Sequence, residues 1–299
     1  MANYLTRLRH LGMAVSMLML VLAGSVIAIK GVPLGQDFTG GYVHQFQAPE
    51  ALTQQQLQHQ LEGLLSGDFQ LSVHSDNQYQ LFQPPSEGQS NPKWLDTWVS
   101  DNALVLLDSS FLGAQAGDEL IDQGLMALLF ATLAVMLYLV CRFEWRLALA
   151  ATLALVHDVA LTLAVLVLFD IPFTLTVLAA ILAIIGYSLN DSIVIGDKVR
   201  EIVRAKPAQS VALSINTAIA ASMSRTLITS MTTLATIISI WALAGPPLQG
   251  FAITLFVGVL VGTWSSVFIS ATVPHWLGLS AENYTNQDSD EVKRQLAQP

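Results

Sequence analysis

The sequence predicts a polytopic α-helical membrane protein with six transmembrane helices and one external α+β domain between the first two of them. Of the 299 residues, 53% are apolar and only 12% are charged, and the mean hydropathy is +0.54. The apolar residues gather in six long runs, and one long polar segment separates the first two. Since about 25% of residues are charged in an average soluble domain, the composition argues against a soluble globular protein.

The six apolar runs have the length of membrane spans, because the hydrocarbon core of a bilayer needs about 20 apolar helical residues. They cover residues 11–29, 124–141, 147–169, 174–195, 226–244 and 251–273. The predicted domains are the N-terminus with the first helix over 1–30, the external domain over 31–123, the remaining helices over 124–273 and a tail over 274–299. A cleavable signal peptide is the alternative for the first run, but that run is longer than a usual h-region and no clear A-x-A site follows it.

The basic residues predict the orientation of the chain. They cluster before the first run, after the second, after the fourth and in the tail: Arg7, Arg9, Arg142, Arg146, Lys198, Arg200, Arg204, Lys206, Lys293 and Arg294. With an even number of spans, all these segments fall on one side, which the positive-inside rule assigns to the cytoplasm. The long segment has few basic residues and many acidic ones, so we expect it outside, with both termini cytoplasmic.

The external segment alternates between strand and helix patterns. Strands are predicted at 41–47, 69–74, 78–83 and 103–111, helices at 49–65 and 92–100, a turn at Asp76-Asn77 and a loop at 84–89. The order βαββαβ is typical of a ferredoxin-like domain. His44 and His74 are interpreted as surface or strand residues rather than ligands. Because no catalytic set stands out, we expect a binding surface and not an enzyme.

Several function classes are disfavoured by composition. The net charge of −9 and the few basic residues leave no surface for nucleic acid. The single cysteine, Cys141, cannot form an internal disulfide, and no Cys/His spacing indicates a metal site. We therefore expect neither a metal nor a cofactor.

Charged residues at membrane depth cost about 2.5–3.5 kcal/mol each, so each requires a reason. Asp158 follows His157 in the third run, Asp191 follows Asn190 in the fourth, and Arg225 opens the fifth. Asp191 and Arg225 approach the same ends of antiparallel neighbours. Apolar surroundings favour a protonated carboxyl and a nearby arginine favours the ionised form, so such a pair can act as a proton switch. A static ion pair that only fixes the helix register is the alternative.

The fifth run carries a polar stripe with helical spacing. Its members are Ser222, Thr226, Thr229, Thr233, Thr236 and Ser239. The alignment of this stripe with Arg225 favours a hydrated path, and ordinary Ser/Thr contacts between membrane helices are the alternative.

Five stretches carry a family resemblance: DFTGG (Asp37, Phe38, Thr39, Gly40 and Gly41), RFEWRLA at 142–148, HDV at 157–159, GYSLNDSIV at 186–194 and RTLITS at 225–230. Together they resemble the SecF family, the smaller subunits of the bacterial SecDF accessory complex of the Sec protein translocase. This family belongs to the resistance-nodulation-division superfamily.

The resemblance implies an inner-membrane subunit that partners a SecD-like chain and, through it, the SecYEG channel and YajC. Such a pair is expected to use the proton-motive force to draw preproteins out after the SecA-driven step. The family's proton pathway matches Asp191 and Arg225 here, with Asn190, Asp158, Thr229 and Thr233 as supporting residues.

Three other functions remain as alternatives. Half of a proton-driven exporter of the same superfamily would use the same switch, but such exporters are usually single chains with two six-span halves. A structural membrane scaffold would use Asp191 and Arg225 as a register lock. An intramembrane aspartyl protease would pair Asp158 with Asp191, but the GxGD signature is absent.

Overall fold

The computed structural model describes residues 2–49, 52–65, 69–75, 77–84, 93–280 and 282. Residues 85–89 of the predicted loop, Asp76 of the predicted turn and the tail from 283 onward lie outside the described residues.

The chain begins with a long helix and a short one before it enters a small sheet. Helix α1 is Ala2–Lys30 and helix α2 is Gln36–Thr39. The elements that follow are β1 (Gly41–Gln47), α3 (Gln54–Leu64), β2 (Gln70–Ser75), β3 (Gln78–Gln83), α4 (Lys93–Asp101) and β4 (Val105–Leu112). The four strands form one antiparallel sheet in the order β2-β3-β1-β4.

Apolar side chains of the sheet and its two helices form one core. Phe46 of β1 is fully buried and meets the ring of Trp98 from α4 edge to face, with centroids 5.1 Å apart. Helix α3 buries Leu57 and Leu61, four residues apart on one face. Thr53 starts α3 with a capping box, because its side chain accepts from the backbone of Gln56 while the Gln56 side chain accepts from the backbone of Thr53.

His44 is a buried polar residue in the central strand β1. Its Nδ1 lies 2.8 Å from Oγ of Ser109 on β4. Nε2 is buried and has no hydrogen-bond partner among the described residues. Burial lowers the pKa of His44 below its ordinary value, because the charged ring would lose its hydration.

The rest of the chain is a helical bundle. Its elements are α5 (Ala114–Arg142), α6 (Trp145–Leu168), α7 (Leu175–Ala205), α8 (Val211–Leu243), α9 (Gln249–Ser265), a π-helix (Ser266–Ser270) and α10 (Val273–Trp276). Within the described ranges, six helical segments are long and apolar enough to cross a membrane; the last runs from Gln249 to Trp276. By length and composition this confirms the six apolar spans that the sequence predicts.

The helices differ in how deeply they lie in the bundle. Of the most apolar stretch of α6 and of α7, 56% is buried, against 11% for α5 and 17% for α8. Helices α6 and α7 are therefore central, while α5 and α8 present broad outer surfaces.

Helices α7 and α9 approach closely at Gly258. A Cβ atom added there would overlap the side chain of Ile184 on α7, which is itself buried. Glycine thus allows the two backbones to pack together at the centre of the bundle.

We expect Gly258→Ala to lower the free energy of unfolding by about 1–3 kcal/mol, because the new methyl group must displace Ile184 from a filled core. Thermal unfolding of the purified protein in detergent measures this change. Gly186→Ala on α7 is the matched control, since apart from its chain neighbours and the adjacent backbone of its own helix no atom of the described residues lies within 4 Å of the position of its added Cβ. Equal melting temperatures for the two variants would contradict the tight packing at Gly258.

We also expect the external sheet to lose stability as the pH falls through about 6.5, the ordinary pKa of histidine. The unfolded chain binds a proton at His44 there while the folded chain does not, so acidification favours unfolding. Hydrogen exchange of 41–47, corrected for the intrinsic exchange rate, measures this between pH 7.5 and pH 5.5. His44→Gln should reduce the pH dependence, and an unchanged dependence would assign it to other groups.

Candidate functional site

Asp191 lies on α7 inside the bundle with only 2% of its surface exposed. Its Oδ2 atom is buried, and no group in the described part of the chain forms a hydrogen bond to it. A buried acceptor without a partner costs about 1–3 kcal/mol, and more when it is charged. Asp191 is therefore a site where a proton or an incoming donor would be stabilising.

Helix α8 packs against the part of α7 that carries Asp191, and a hydrogen bond joins the two helices nearby. The Tyr187 hydroxyl of α7 donates to Oγ of Ser230 on α8 over 3.3 Å, and Ser230 is 2.7 Å from Oγ1 of Thr263 on α9. Because α7 and α8 run antiparallel, one turn onward from Tyr187 brings Asp191 opposite Thr226. The Oγ1 atom of Thr226 is also buried, and it has no partner within the described ranges.

Arg225 precedes Thr226 and is exposed on α8. Its charge acts on Asp191 through space. The described residues include no ion pair between Asp191 and Arg225. The structure thus brings the two predicted residues onto facing helices without direct contact between their charged groups.

The predicted supporting residues lie at different depths. Asn190 is exposed on α7, whereas Thr229 and Thr233 are half-buried on α8. The Thr229 hydroxyl donates to the backbone carbonyl of Arg225 over 3.0 Å.

The predicted polar stripe of α8 does not stay on one side of the bundle. Ser222 and Thr226 are buried, but Thr236 and Ser239 are exposed and donate to carbonyls of their own helix. The spacing of the stripe is on average shorter than the helical repeat of about 3.6 residues, so the stripe winds around α8.

Asp158 lies on α6 and is fully buried, with 0% of its surface exposed. Its Oδ2 accepts from Ser188 of α7 over 2.5 Å and from Ser265 of α9 over 2.7 Å. Its Oδ1 lies 3.0 Å from Nδ1 of His157. One carboxylate therefore connects three helices.

Sequence reasoning missed the two serine partners of Asp158. Ser188 precedes Asp191 by three residues and so shares its helix face, which was a usable signal. Ser265 is the last residue of α9, directly before a π-helix in which the helical phase changes. The apolar pattern continues through this segment and gives no sign of that change.

The DFTGG stretch connects the sheet to the bundle. Oδ2 of Asp37 accepts from the backbone N–H of Leu175, the first residue of α7, over 2.8 Å. Phe38 is buried and stacks against Phe173, with ring centroids 5.5 Å apart. A Cβ at Gly41 would overlap the carbonyl of Gln83, so this position needs glycine where the chain enters β1. Asp37 thus lies at the positive end of the α7 dipole.

Among the described residues, no group of three or more His, Cys, Asp or Glu side chains could hold a metal ion. The buried polar groups of the bundle include the carboxylates of Asp158 and Asp191, the imidazole of His157 and several hydroxyls, and carboxylates and imidazoles can bind or transfer protons.

Comparison with known proteins gives a consistent result. The family described as "Protein export membrane protein SecD/SecF, C-terminal" matches residues 97–280. Protein translocase subunit SecF of Pseudomonas aeruginosa is 37% identical over 280 residues, which are 92% of this chain and 92% of the relative. Protein translocase subunit SecF of Escherichia coli O157:H7 is 35% identical, over 91% of this chain and 87% of the relative.

A solved structure is also similar. The crystal structure of SecDF, a translocon-associated membrane protein from Thermus thermophilus, matches with a TM-score of 0.79 and 31% identity over 93% of this chain. This chain spans only 38% of the length of that protein. SecDF in a super-membrane-facing form matches with a TM-score of 0.68 and 30% identity, over 97% of this chain and 39% of that one.

Proposed function

This chain belongs to the SecD/SecF family of protein export membrane proteins, and we propose that it is a SecF-type translocase subunit working with a SecD-like partner. In this proposal the pair uses the proton-motive force to promote preprotein translocation through the SecYEG channel, with YajC, after the SecA-driven step. The observation that carries the proton-driven part is Asp191, a buried carboxylate that lacks a partner in the described residues and faces the helix of Arg225.

Asp191 can couple a proton to helix movement through its charge. An approach of Arg225 favours the ionised carboxylate, and apolar surroundings without that charge favour the protonated group. Moving one charge through 100 mV supplies about 2.3 kcal/mol. A difference of this size biases a conformational equilibrium nearly fiftyfold, which is enough to favour one arrangement of α7 and α8 over another.

The composition of the outer surface of α8 favours contact with a partner chain in the membrane. It exposes Arg225 together with Thr236 and Ser239. An arginine is costly against lipid, so this surface is suited to a second protein or a hydrated path rather than to hydrocarbon. A SecD-like bundle is the occupant that the family assignment favours.

The external domain offers a second contact for that partner. We assign the domain to the ferredoxin-like class, because its chain order is βαββαβ and its sheet order is β2-β3-β1-β4. Strand β4 is at the sheet edge, and its exposed side chains include Val105, Leu106, Leu107 and Phe111. Such an edge can pair with a strand of another chain.

We place the protein in the bacterial inner membrane with both termini in the cytoplasm. In this arrangement residues 31–123 form the periplasmic domain, 124–273 complete the bundle and 274–299 form a cytoplasmic tail. Basic side chains at the ends of α5, α6 and α7 support it, because positive charge is retained on the cytoplasmic side: Arg142, Arg146, Lys198, Arg200 and Arg204.

The role proposed here is not enzymatic. A protease dyad would require Asp158 and Asp191 to share a proton. The acceptor sites of Asp158 are instead taken by Ser188, Ser265 and His157. Half of an exporter and a static scaffold remain the alternatives that the experiments below distinguish.

We expect Asp191→Asn to lower preprotein export by more than about tenfold, because asparagine cannot bind and release a proton. The measurement is export in cells depleted of the native protein and supplied with wild type or variant at matched membrane levels. Asp197→Asn is the control, since this carboxylate lies at the charged end of the same helix and pairs with Arg142 and Arg200.

The outcomes separate the candidate functions. Equal export by wild type and Asp191→Asn would reject the proton switch. Loss of the folded protein on detergent extraction would indicate a structural lock, and failure of wild type to restore export would favour the exporter.

We expect a tagged chain to recover a SecD-like protein from its native membranes, and Leu107→Lys on β4 to lower that recovery. A lysine on the edge strand opposes pairing with another strand. Leu64→Lys is the matched control, because Leu64 and Leu107 are 49% and 47% exposed in the same domain. Equal recovery with both variants would exclude β4 as the contact, and a stable active homodimer would contradict the heteromeric proposal.

A further inference from the structure

The second buried carboxylate of the bundle, Asp158, has a geometry unlike that of Asp191. We propose that Asp158 is a positioning residue: by accepting hydrogen bonds from Ser188 and Ser265, it fixes the rotation of α7 that presents Asp191 to α8. This inference rests on the proposed role of Asp191 as the proton-binding group.

Asp158 is connected to Asp191 through Ser188, which lies about one helical turn before Asp191 on α7. Ser188 and Asp191 are three residues apart on α7, so they share a face, and a rotation that moves one moves the other. The Ser188 hydroxyl is 2.5 Å from Oδ2 of Asp158, and Ser188 is 1% exposed. Rotation of α7 about its axis would break this bond inside an apolar bundle, where water cannot replace it.

Helix α9 provides the second hydrogen-bond donor to Oδ2 of Asp158. Ser265 donates to Oδ2 over 2.7 Å, and a Cβ added at Gly262 would lie 3.2 Å from Cβ of Ser188 and 3.5 Å from Oδ2 of Asp158. The backbone of α9 therefore lies directly against the contact. The π-helix begins at the next residue, Ser266, and local π-helical turns are frequent at functional sites.

The hydrogen bonds of Asp158 distinguish a positioning role from proton transport. Oδ2 accepts two hydroxyl donors and Oδ1 contacts His157, so added protons would compete with bonds that the fold already makes. The titratable groups near this contact include His157 on the same helix and Asp191, one turn beyond Ser188 on α7. An asparagine fits the same site, since its carbonyl can accept from both serines and its amide can donate to Nδ1 of His157.

The test compares an isosteric and an apolar replacement with two readouts. The first is preprotein export, measured as for Asp191. The second is the maleimide reaction rate of a thiol introduced by Asn190→Cys in a Cys141→Ser background, because Asn190 is exposed beside Asp191 and reports the rotation of α7. We expect Asp158→Leu to lower export about tenfold and to change the thiol rate severalfold, and Asp158→Asn to keep both within about twofold of the parent.

A serine pair provides a second, milder test if Asp158→Leu does not assemble. Ser265 and Ser266 are both fully buried, but Ser266 donates only to the carbonyl of Thr263 in its own helix turn. We expect Ser188→Ala combined with Ser265→Ala to lower export and change the thiol rate, while Ser266→Ala does neither.

Two results would overturn the proposal. If Asp158→Asn loses export as severely as Asp191→Asn while the thiol rate is unchanged, Asp158 carries a proton itself. If both the leucine variant and the double serine variant keep the parental thiol rate, α7 is positioned by other contacts. Normal export by Asp191→Asn would instead reject the proposed function, and the thiol rates would still report whether Asp158 positions α7.

Discussion

A carboxylate buried among apolar helices must find hydrogen-bond donors within the protein, because hydrocarbon supplies none. This requirement organises the centre of the bundle. Asp158 meets it with donors from Ser188 and Ser265, and so connects α6 to α7 and α9. Asp191 does not meet it among the described residues, since its buried Oδ2 lacks a partner. The hydrogen bonds of Asp158 hold three helices together, whereas Asp191 can still gain a partner or a proton.

Helix α7 carries Asp191 and the Ser188 hydroxyl that donates to Asp158, and it makes a further contact at its beginning. Asp37 accepts from the N–H of Leu175, and Asp191 lies sixteen residues later, about 24 Å along the helix axis. The segment with Asp37 leads directly into β1, the strand between β3 and β4. Lys30 at the end of α1 adds an ion pair with Asp170 just before α7, at 2.9 Å. Because Asp37 joins the first residue of α7 to the segment before β1, a displacement of α7 would be transmitted directly to the external sheet.

The sequence was most informative where a local pattern determines the structure. Strands 41–47 and 78–83 have the predicted bounds, and six apolar spans are present, although helices such as α7 and α8 extend well beyond the apolar runs. The short helix α2 and the π-helix were not predicted, because a single turn leaves no periodicity to detect.

The candidate site was predictable in its charged members and not in their partners. The cost of placing a charge at membrane depth identifies Asp158, Asp191 and Arg225. Ser188 and Ser265 become partners of Asp158 only through tertiary contacts between helices distant in sequence. The exposure of Arg225 also depends on which side of α8 packs against α7, and the neutral residues around it do not determine that side.

The position of Arg225 links assembly to proton use in the proposed function. An exposed arginine on a membrane helix needs a counter-charge or water, and α8 itself carries no acidic residue. A partner that covers this surface can supply such groups, and it would at the same time change the field at Asp191 through Arg225. The protonation of Asp191 would then depend on how closely the partner bundle approaches α8. In the proposed function, the approach of a partner bundle would thereby bias the protonation of Asp191 and, with it, the arrangement of α7 and α8.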